Sequence, residues 1–162
     1  MLQNNYNRPD IIKNFLAIKK ITDIACFSCF TAIQAALKDV NDFYPQFDSW
    51  FYEKVVPGVI NSERKILFGQ VNGKVAGIAI IKNTSEKKIS TVKVAEKFKG
   101  QRIGRQLFEN SFEALDTEKP FCTISEEKLP EFKSTFAYYG FKLTSVHNGL
   151  YRDGKKEFFF NE

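Results

Sequence analysis

The sequence predicts an α/β or α+β fold: a mixed, mostly antiparallel sheet of six to seven strands, with a central parallel strand–helix–strand unit and flanking helices. Three observations carry this expectation. Two strand-like runs meet at the two-residue turn Asn72-Gly73, a strong hairpin signal. From Ile89 to Ser125 a strand, a basic glycine-bearing loop, a helix and a second strand follow in order. From Lys142 to Phe160 two further runs close on Asp153-Gly154. The 162 residues show no repeat or linker, so one domain spanning 1–162 with one core is expected.

In chain order, Phe15 to Ile18 reads as a first strand. Thr22 is an N-cap candidate for a helix to about Lys38, in which Ile24, Phe27, Phe30, Ile33 and Leu37 recur every three or four residues. A second, aromatic helix is expected from Asp48 to Val56, ended by Pro57-Gly58. Ile66–Val71 and Val75–Ile81 form the hairpin, and Ile89–Ala95 a third strand, alternating in Val92 and Val94. Gly100 to Asp116 reads as a loop entering a helix, in which Ile103, Leu107, Phe108, Phe112 and Leu115 cover one face. The strand Phe121–Ser125 then runs parallel to Ile89–Ala95, because a helical crossover joins them. Pro130 opens another helix and Gly140 stops it, and strands at Lys142–Tyr151 and Lys156–Phe160 finish the chain.

Seventeen phenylalanines against one tryptophan and one methionine predict an aromatic-rich core. The net charge of +5 favours acidic partners, but the lysines are interleaved with aspartate and glutamate, which argues against bulk nucleic-acid binding. No run approaches the roughly 20 apolar residues of a membrane span, and MLQNNYNRPD lacks the apolar stretch of a secretory signal. A soluble, cytoplasmic protein without membrane partners is expected. Three cysteines make no disulfide framework, and the Cys26-x-x-Cys29 pair stands with only the distant His147, so packing rather than metal binding is expected there.

The chemistry concentrates in Lys99-Gly100-Gln101-Arg102-Ile103-Gly104-Arg105. A strand ends, backbone amides are released at a helix N-terminus, and small residues permit close approach. Unpaired N–H groups and the positive end of the helix dipole favour a phosphate, and Lys99, Arg102 and Arg105 add charge.

Together with the preceding strand, V-x-V-x-x-x-F-K-G-Q-R-I-G-R-Q-L resembles the acetyl-CoA signature of the GNAT N-acetyltransferases, R/Q-x-x-G-x-G/A. Lys99 stands where that family has Arg or Gln, and Gly104 stands at the last small position. Arg102 replaces the first glycine. Phe136-Ala137-Tyr138-Tyr139-Gly140-Phe141 is similar to the family's helix end and G-F turn, and the layout from about Phe15 to Phe160 fits the same fold.

The resemblance implies an N-acetyltransferase that binds acetyl-CoA as co-substrate, without a metal. Transfer to a primary amine, of a small molecule or a peptide, would proceed by direct attack in a ternary complex. The pyrophosphate would lie on the residue 99–105 loop, and the backbone of Val92, Lys93 and Val94 would run along the thioester. Ser125 would face the pantetheine arm or the substrate. An ammonium of pKa about 10.4 must lose a proton before attack, and Glu126 and Glu127 are the base candidates, with Glu53 behind them. The family often places an acidic tyrosine four residues before the G-F turn, where this chain has Phe136. Tyr139 lies nearly on the same helix face one turn later and is the stand-in.

Two other readings come from different classes: a catalytically silent acyl-CoA-binding module, and acetylation of an aminoacyl-tRNA amine. Acceptor choice would fall to the first two helices, with Tyr44, Trp50, Phe51 and Tyr52, and to the last hairpin. Those aromatics are equally eligible for core packing or a homodimer surface.

Overall fold

A computed structural model describes residues 15–21 and 27–162 of the chain. Thr22, Ile24 and Cys26, named above, lie outside these residues. Seven strands form, β1 (Phe15–Ile21), β2 (Arg64–Val71), β3 (Lys74–Asn83), β4 (Lys87–Val94), β5 (Cys122–Ser125), β6 (Leu143–Asn148) and β7 (Lys156–Phe160). At the β2–β3 turn Asn72 and Gly73 take φ of 50° and 74°, the left-handed pair that a two-residue hairpin requires. β6 stops at Asn148 rather than Tyr151, because Gly149 turns the chain at φ 69° and donates its N–H to the Lys155 carbonyl at 2.8 Å.

One expectation is corrected here. The strands make two sheets rather than one of six to seven strands: an antiparallel sheet in the order β1-β2-β3-β4 and another in the order β5-β7-β6. The expected parallel pairing of β4 with β5 is reduced to a bridge between Lys88 and Phe121. There Ile89 donates to the Phe121 carbonyl at 3.0 Å, and Phe121 donates to the Lys87 carbonyl at 2.8 Å. Beyond that point β5 pairs only with β7 and β4 only with β3, and the twist of each sheet carries the two strands apart. This splay leaves one edge of each strand facing a gap.

The helices are α1 (Phe27–Ala36), α2 (residues 47–60), α3 (Ile103–Leu115) and α4 (Leu129–Tyr138). Pro57-Gly58 does not end α2 as the sequence suggests. The helix runs Phe47–Trp50, widens to a π-turn at Phe51–Val55 and continues as Val56–Ile60. In the widened turn Val56 donates to the Phe51 carbonyl, which accommodates a proline at the next position without a donor. Gly58 is needed for another reason: a Cβ there would come within 2.7 Å of the Arg64 side chain.

The β1–β4 sheet is covered on both faces. Ile66, Ile78 and Ile80 pack against Phe30, Ile33, Leu37, Phe47, Phe51, Val55 and Val59 of the α1–α2 layer. The opposite face, with Leu67, Ala79 and Ile81, receives Ile103, Leu107, Phe108 and Leu115 of α3, and this core continues to Ile124, Phe136 and Phe160. Phe108 sits 6.1–6.2 Å from the rings of Phe112, Phe132, Phe136, Tyr139 and Phe141, the aromatic core that the composition predicted. Burying each such ring stabilises the fold by about 1.5–3 kcal/mol. Gly77 of β3 lets α3 lie this close, since a Cβ would meet Ile103 and Leu107 at 2.8 Å.

Candidate functional site

The gap between β4 and β5 opens into a cleft of about 1190 Å³. Such a volume exceeds the roughly 300–1,000 Å³ of most small-molecule sites and accommodates a long ligand. One wall is β4 from Lys88 to Val94, and the facing wall is Cys122, Thr123 and Ile124 of β5. Gly104 and Phe108 of α3 with Phe132 and Phe136 of α4 line one side, and Tyr44, Phe47, Trp50 and Tyr151 line the other. The cleft is therefore lined from two different layers.

At the end of β4 the chain passes through Ala95 and a short 3₁₀ turn, Glu96–Phe98, into the loop. Ala95 is tied to β3 by donation to the Ala76 carbonyl at 2.8 Å, so the strand delivers the loop at a fixed place. Gly100 at φ 76° and Arg102 at φ 63° reverse the chain into α3. The first bond into α3 is Gln106 to the Arg102 carbonyl at 3.1 Å, and no side chain caps the helix start. Its first-turn amides, with the positive end of the helix dipole, are thus available to an anion. The turn has room at Gly104, where a Cβ would meet only Val94, at an ordinary 3.5 Å.

Of the residues singled out from the sequence, Val92, Lys93, Val94, Lys99, Gly100 and Gly104 line the cleft. Ile103 is buried beneath Gly77. The Lys99 ammonium is 2.8 Å from Glu96 and 3.9 Å from Glu131 at the mouth. Lys93 turns its side chain to Asp39 and to the Ala36 carbonyl at 2.9 Å, pinning the end of α1. Gln101 and Arg102 point to solvent, and the Arg105 guanidinium lies 4.1 Å over the Tyr138 ring.

Arg102 holds the left-handed conformation that the glycine of the resembled motif adopts without strain. For a residue with a Cβ this costs on the order of 1 kcal/mol. The Arg102→Gly variant is therefore expected to be more stable by about 1 kcal/mol, read as a higher urea midpoint at unchanged slope. A lower midpoint would show that the arginine side chain contributes more than its backbone costs.

Glu126 and Glu127 follow β5 as expected, but both are engaged in ion pairs. Arg152 Nη2 lies 2.7 Å from each Glu127 carboxylate oxygen, and Lys155 lies 3.5 Å from Glu126. Neither lines the cleft. Tyr139 packs its ring against Phe108 and Phe112, donates its hydroxyl to Glu109 at 2.9 Å and does not line the cleft. Phe136 itself lines the cleft.

A different polar group closes the far side. The Tyr44 hydroxyl donates to Glu157 Oε1 at 2.8 Å and accepts the Ser125 N–H at 3.1 Å. Glu157 is 3% exposed and pairs with Ser125 across β5 and β7. Burial raises the Glu157 carboxyl above its ordinary value of 4.5, only partly opposed by the Tyr44 hydrogen bond. Burial and the neighbouring Glu157 charge likewise push the Tyr44 phenol upward. The Ser125 hydroxyl is buried and has no hydrogen-bond partner among the described residues. Sequence reasoning placed Tyr44 only among aromatics near the acceptor and passed over Glu157. The available signal was an acid inside the otherwise aromatic strand Lys156–Phe160.

A family model for the acetyltransferase (GNAT) domain matches residues 33–155. Solved structures share the fold at low identity. A GNAT-family protein from Desulfovibrio desulfuricans superposes with a TM-score of 0.70 at 16% identity, over 89% of this chain and 96% of that one. A GNAT-family acetyltransferase from Elizabethkingia anophelis, solved with acetyl-CoA bound, gives 0.53 at 15% identity over 66% and 80% of the two chains. The ribosomal-protein-S18-alanine N-acetyltransferase from Escherichia coli gives 0.57 at 16% identity over 67% and 74%. No curated protein sequence matches the chain.

Proposed function

Because the chain belongs to the GNAT acetyltransferase family, we propose that it transfers the acetyl group of acetyl-CoA to a primary amine within a ternary complex. The observation that carries this reading is the splay of β4 from β5, closed at one end by the uncapped, glycine-bearing start of α3. A pyrophosphate on the amides of residues 100–105 would leave the pantetheine arm running along β4. The thioester would then lie by Val92, Lys93 and Val94, where a backbone amide that faces the gap rather than β3 can stabilise negative charge developing on its carbonyl oxygen.

On the other side of the cleft, the Tyr44 hydroxyl has one lone pair left after accepting from Ser125 and donating to Glu157. It takes a proton from the ammonium and passes its own to Glu157, and the free amine attacks the thioester carbon. The carbon–sulfur bond breaks as the amide forms. The departing thiolate takes the second nitrogen proton through water, a transfer helped by the thiol's ordinary pKa of about 8.5. In this reading the base is Glu157 rather than Glu126 or Glu127, which are ion-paired and do not line the cleft. With Phe136 in the cleft and Tyr139 on Glu109, water rather than a side chain relays the nitrogen proton to sulfur.

Thiol release from acetyl-CoA across a panel of amines tests the reading. Amine-dependent release is expected. Tight acetyl-CoA binding with no turnover on any amine would replace it with a silent acyl-CoA-binding module.

A further inference from the structure

The acceptor side of the cleft carries a row of three cations. Arg64 of β2 stands directly opposite Lys82 of β3, which stands directly opposite Lys88 of β4, and all three line the cleft. Like charges facing one another across neighbouring strands destabilise a sheet. The cations are also partly withdrawn from water. Burial depresses the Lys88 ammonium, with the Glu86 charge opposing and Arg64 and Lys82 adding to the effect, and burial depresses the Arg64 guanidinium too.

Among the described residues, a single ion pair serves this row. Lys82 pairs with Glu86 at 2.8 Å, Glu63 and Glu86 lie within electrostatic reach of Arg64, and Glu86 and Glu157 lie within reach of Lys88. Among the described residues, neither Arg64 nor Lys88 forms an ion pair. Arg64 is instead held in place by Trp50, 5.4 Å below its guanidinium, and by donation from Nη1 to the Ser90 hydroxyl at 3.2 Å. Lys88 lies over the Phe121 ring at 4.6 Å. Two fixed, unpaired cations with an aromatic floor are organised to receive an oxyanion.

We infer that the acceptor is a small amine carrying a carboxylate or phosphate, and that Arg64, Lys82 and Lys88 hold this oxyanion while its amine reaches the thioester. The inference rests on the acetyl-transfer reading above. Ser90 and Val92 are separated by about 7 Å of strand, so several bonds separate the acceptor's amine from its anion. A polycationic amine is repelled by the same row.

The test has two arms. In the first, matched acceptors are compared with the wild-type chain: phosphoethanolamine against ethanolamine, glucosamine 6-phosphate against glucosamine, lysine against its methyl ester, and spermidine. The anionic member of a pair is expected to have the higher kcat/KM by about 10-fold or more, a single charge-assisted hydrogen bond being worth at least that. Which pair shows the preference tells phosphate from carboxylate. The Arg64→Gln/Lys88→Gln variant should lose it through KM, with the KM for acetyl-CoA unchanged. Equal kcat/KM within every pair, or preference for spermidine, would overturn the inference.

The second arm needs no turnover. Inorganic phosphate should raise the Tm of the wild-type chain and leave the double variant unmoved, and the variant without phosphate should melt higher than the wild type, because like charges have been removed. If no amine is acetylated but this pattern appears, the anion site stands and the transfer reading fails. If phosphate shifts neither protein or both equally, the anion site fails whatever the amine panel shows.

Discussion

Replacing Glu157 with glutamine is expected to lower kcat by about 100- to 10,000-fold, the range over which a positioned general base contributes. The fold should survive. Glutamine keeps an oxygen to accept the Tyr44 hydroxyl at the same place, so the link from Tyr44 to Ser125 is retained. Stability should not suffer either, and the sign follows from the direction of the shift. The Glu157 carboxyl is raised above 4.5 in the folded chain. Its protonated form therefore contributes stability that is complete below the ordinary carboxyl value and lost as pH rises through the raised one. At neutral pH the ionised, buried carboxylate is a cost that glutamine removes. The wild-type kcat/KM should fall on the acid side with an apparent pKa above 4.5, and that limb should vanish in the variant. Tyr44→Phe breaks the relay at its other end and should lose a similar factor, because it is the Tyr44 hydroxyl that carries the proton from the cleft to Glu157. Wild-type kcat in Glu157→Gln at every pH would remove Glu157 from the mechanism.

Replacing Gly104 with aspartate separates binding from folding in the opposite direction. Position 104 is in the first turn of α3, where a carboxylate interacts favourably with the helix dipole and glycine is a poor helix former. The site has room, since a Cβ meets only Val94 at an ordinary contact distance of 3.5 Å. The variant should therefore melt at or above the wild-type temperature. Its acetyl-CoA affinity should fall on the order of 100-fold or more, because like charges brought together in a binding site cost several kcal/mol. A variant that is stable yet binds normally would mean that the pyrophosphate lies elsewhere.

The loop and its two flanking elements were legible because local chemistry writes them: a strand end, glycine, basic residues and an amphipathic helix within a short span. The Asn72-Gly73 hairpin was legible for the same reason, its left-handed backbone being a property of two residues. The split into two sheets was not, since β4 and β5 carry ordinary strand patterns and their divergence comes from which partner each finds on its other side. The persistence of α2 through Pro57 was hidden too, because the π-turn at Phe51–Val55 that absorbs it has no local signature. Glu126 and Glu127 were suggested by adjacency to β5, but Arg152 and Lys155 from the β6–β7 connection claim them. Glu157 and Tyr44 are 113 residues apart in the chain and meet only through the tertiary fold. The cationic row is of the same kind, for Arg64, Lys82 and Lys88 become neighbours only once strand register is fixed.

The most direct test of the central assignment is a calorimetric titration of the chain with acetyl-CoA and with S-acetylpantetheine, which has the same thioester and arm but neither the pyrophosphate nor the 3′-phosphoadenosine, and with 3′-phosphoadenosine alone as the control for the nucleoside's own contribution. One acetyl-CoA per chain should bind, at least about 100-fold more tightly than S-acetylpantetheine, since the charge-assisted contacts of two phosphates are lost. Equal affinity for the two ligands, or no binding of acetyl-CoA, would contradict the assignment of the residue 99–105 loop and the start of α3 as the pyrophosphate cradle.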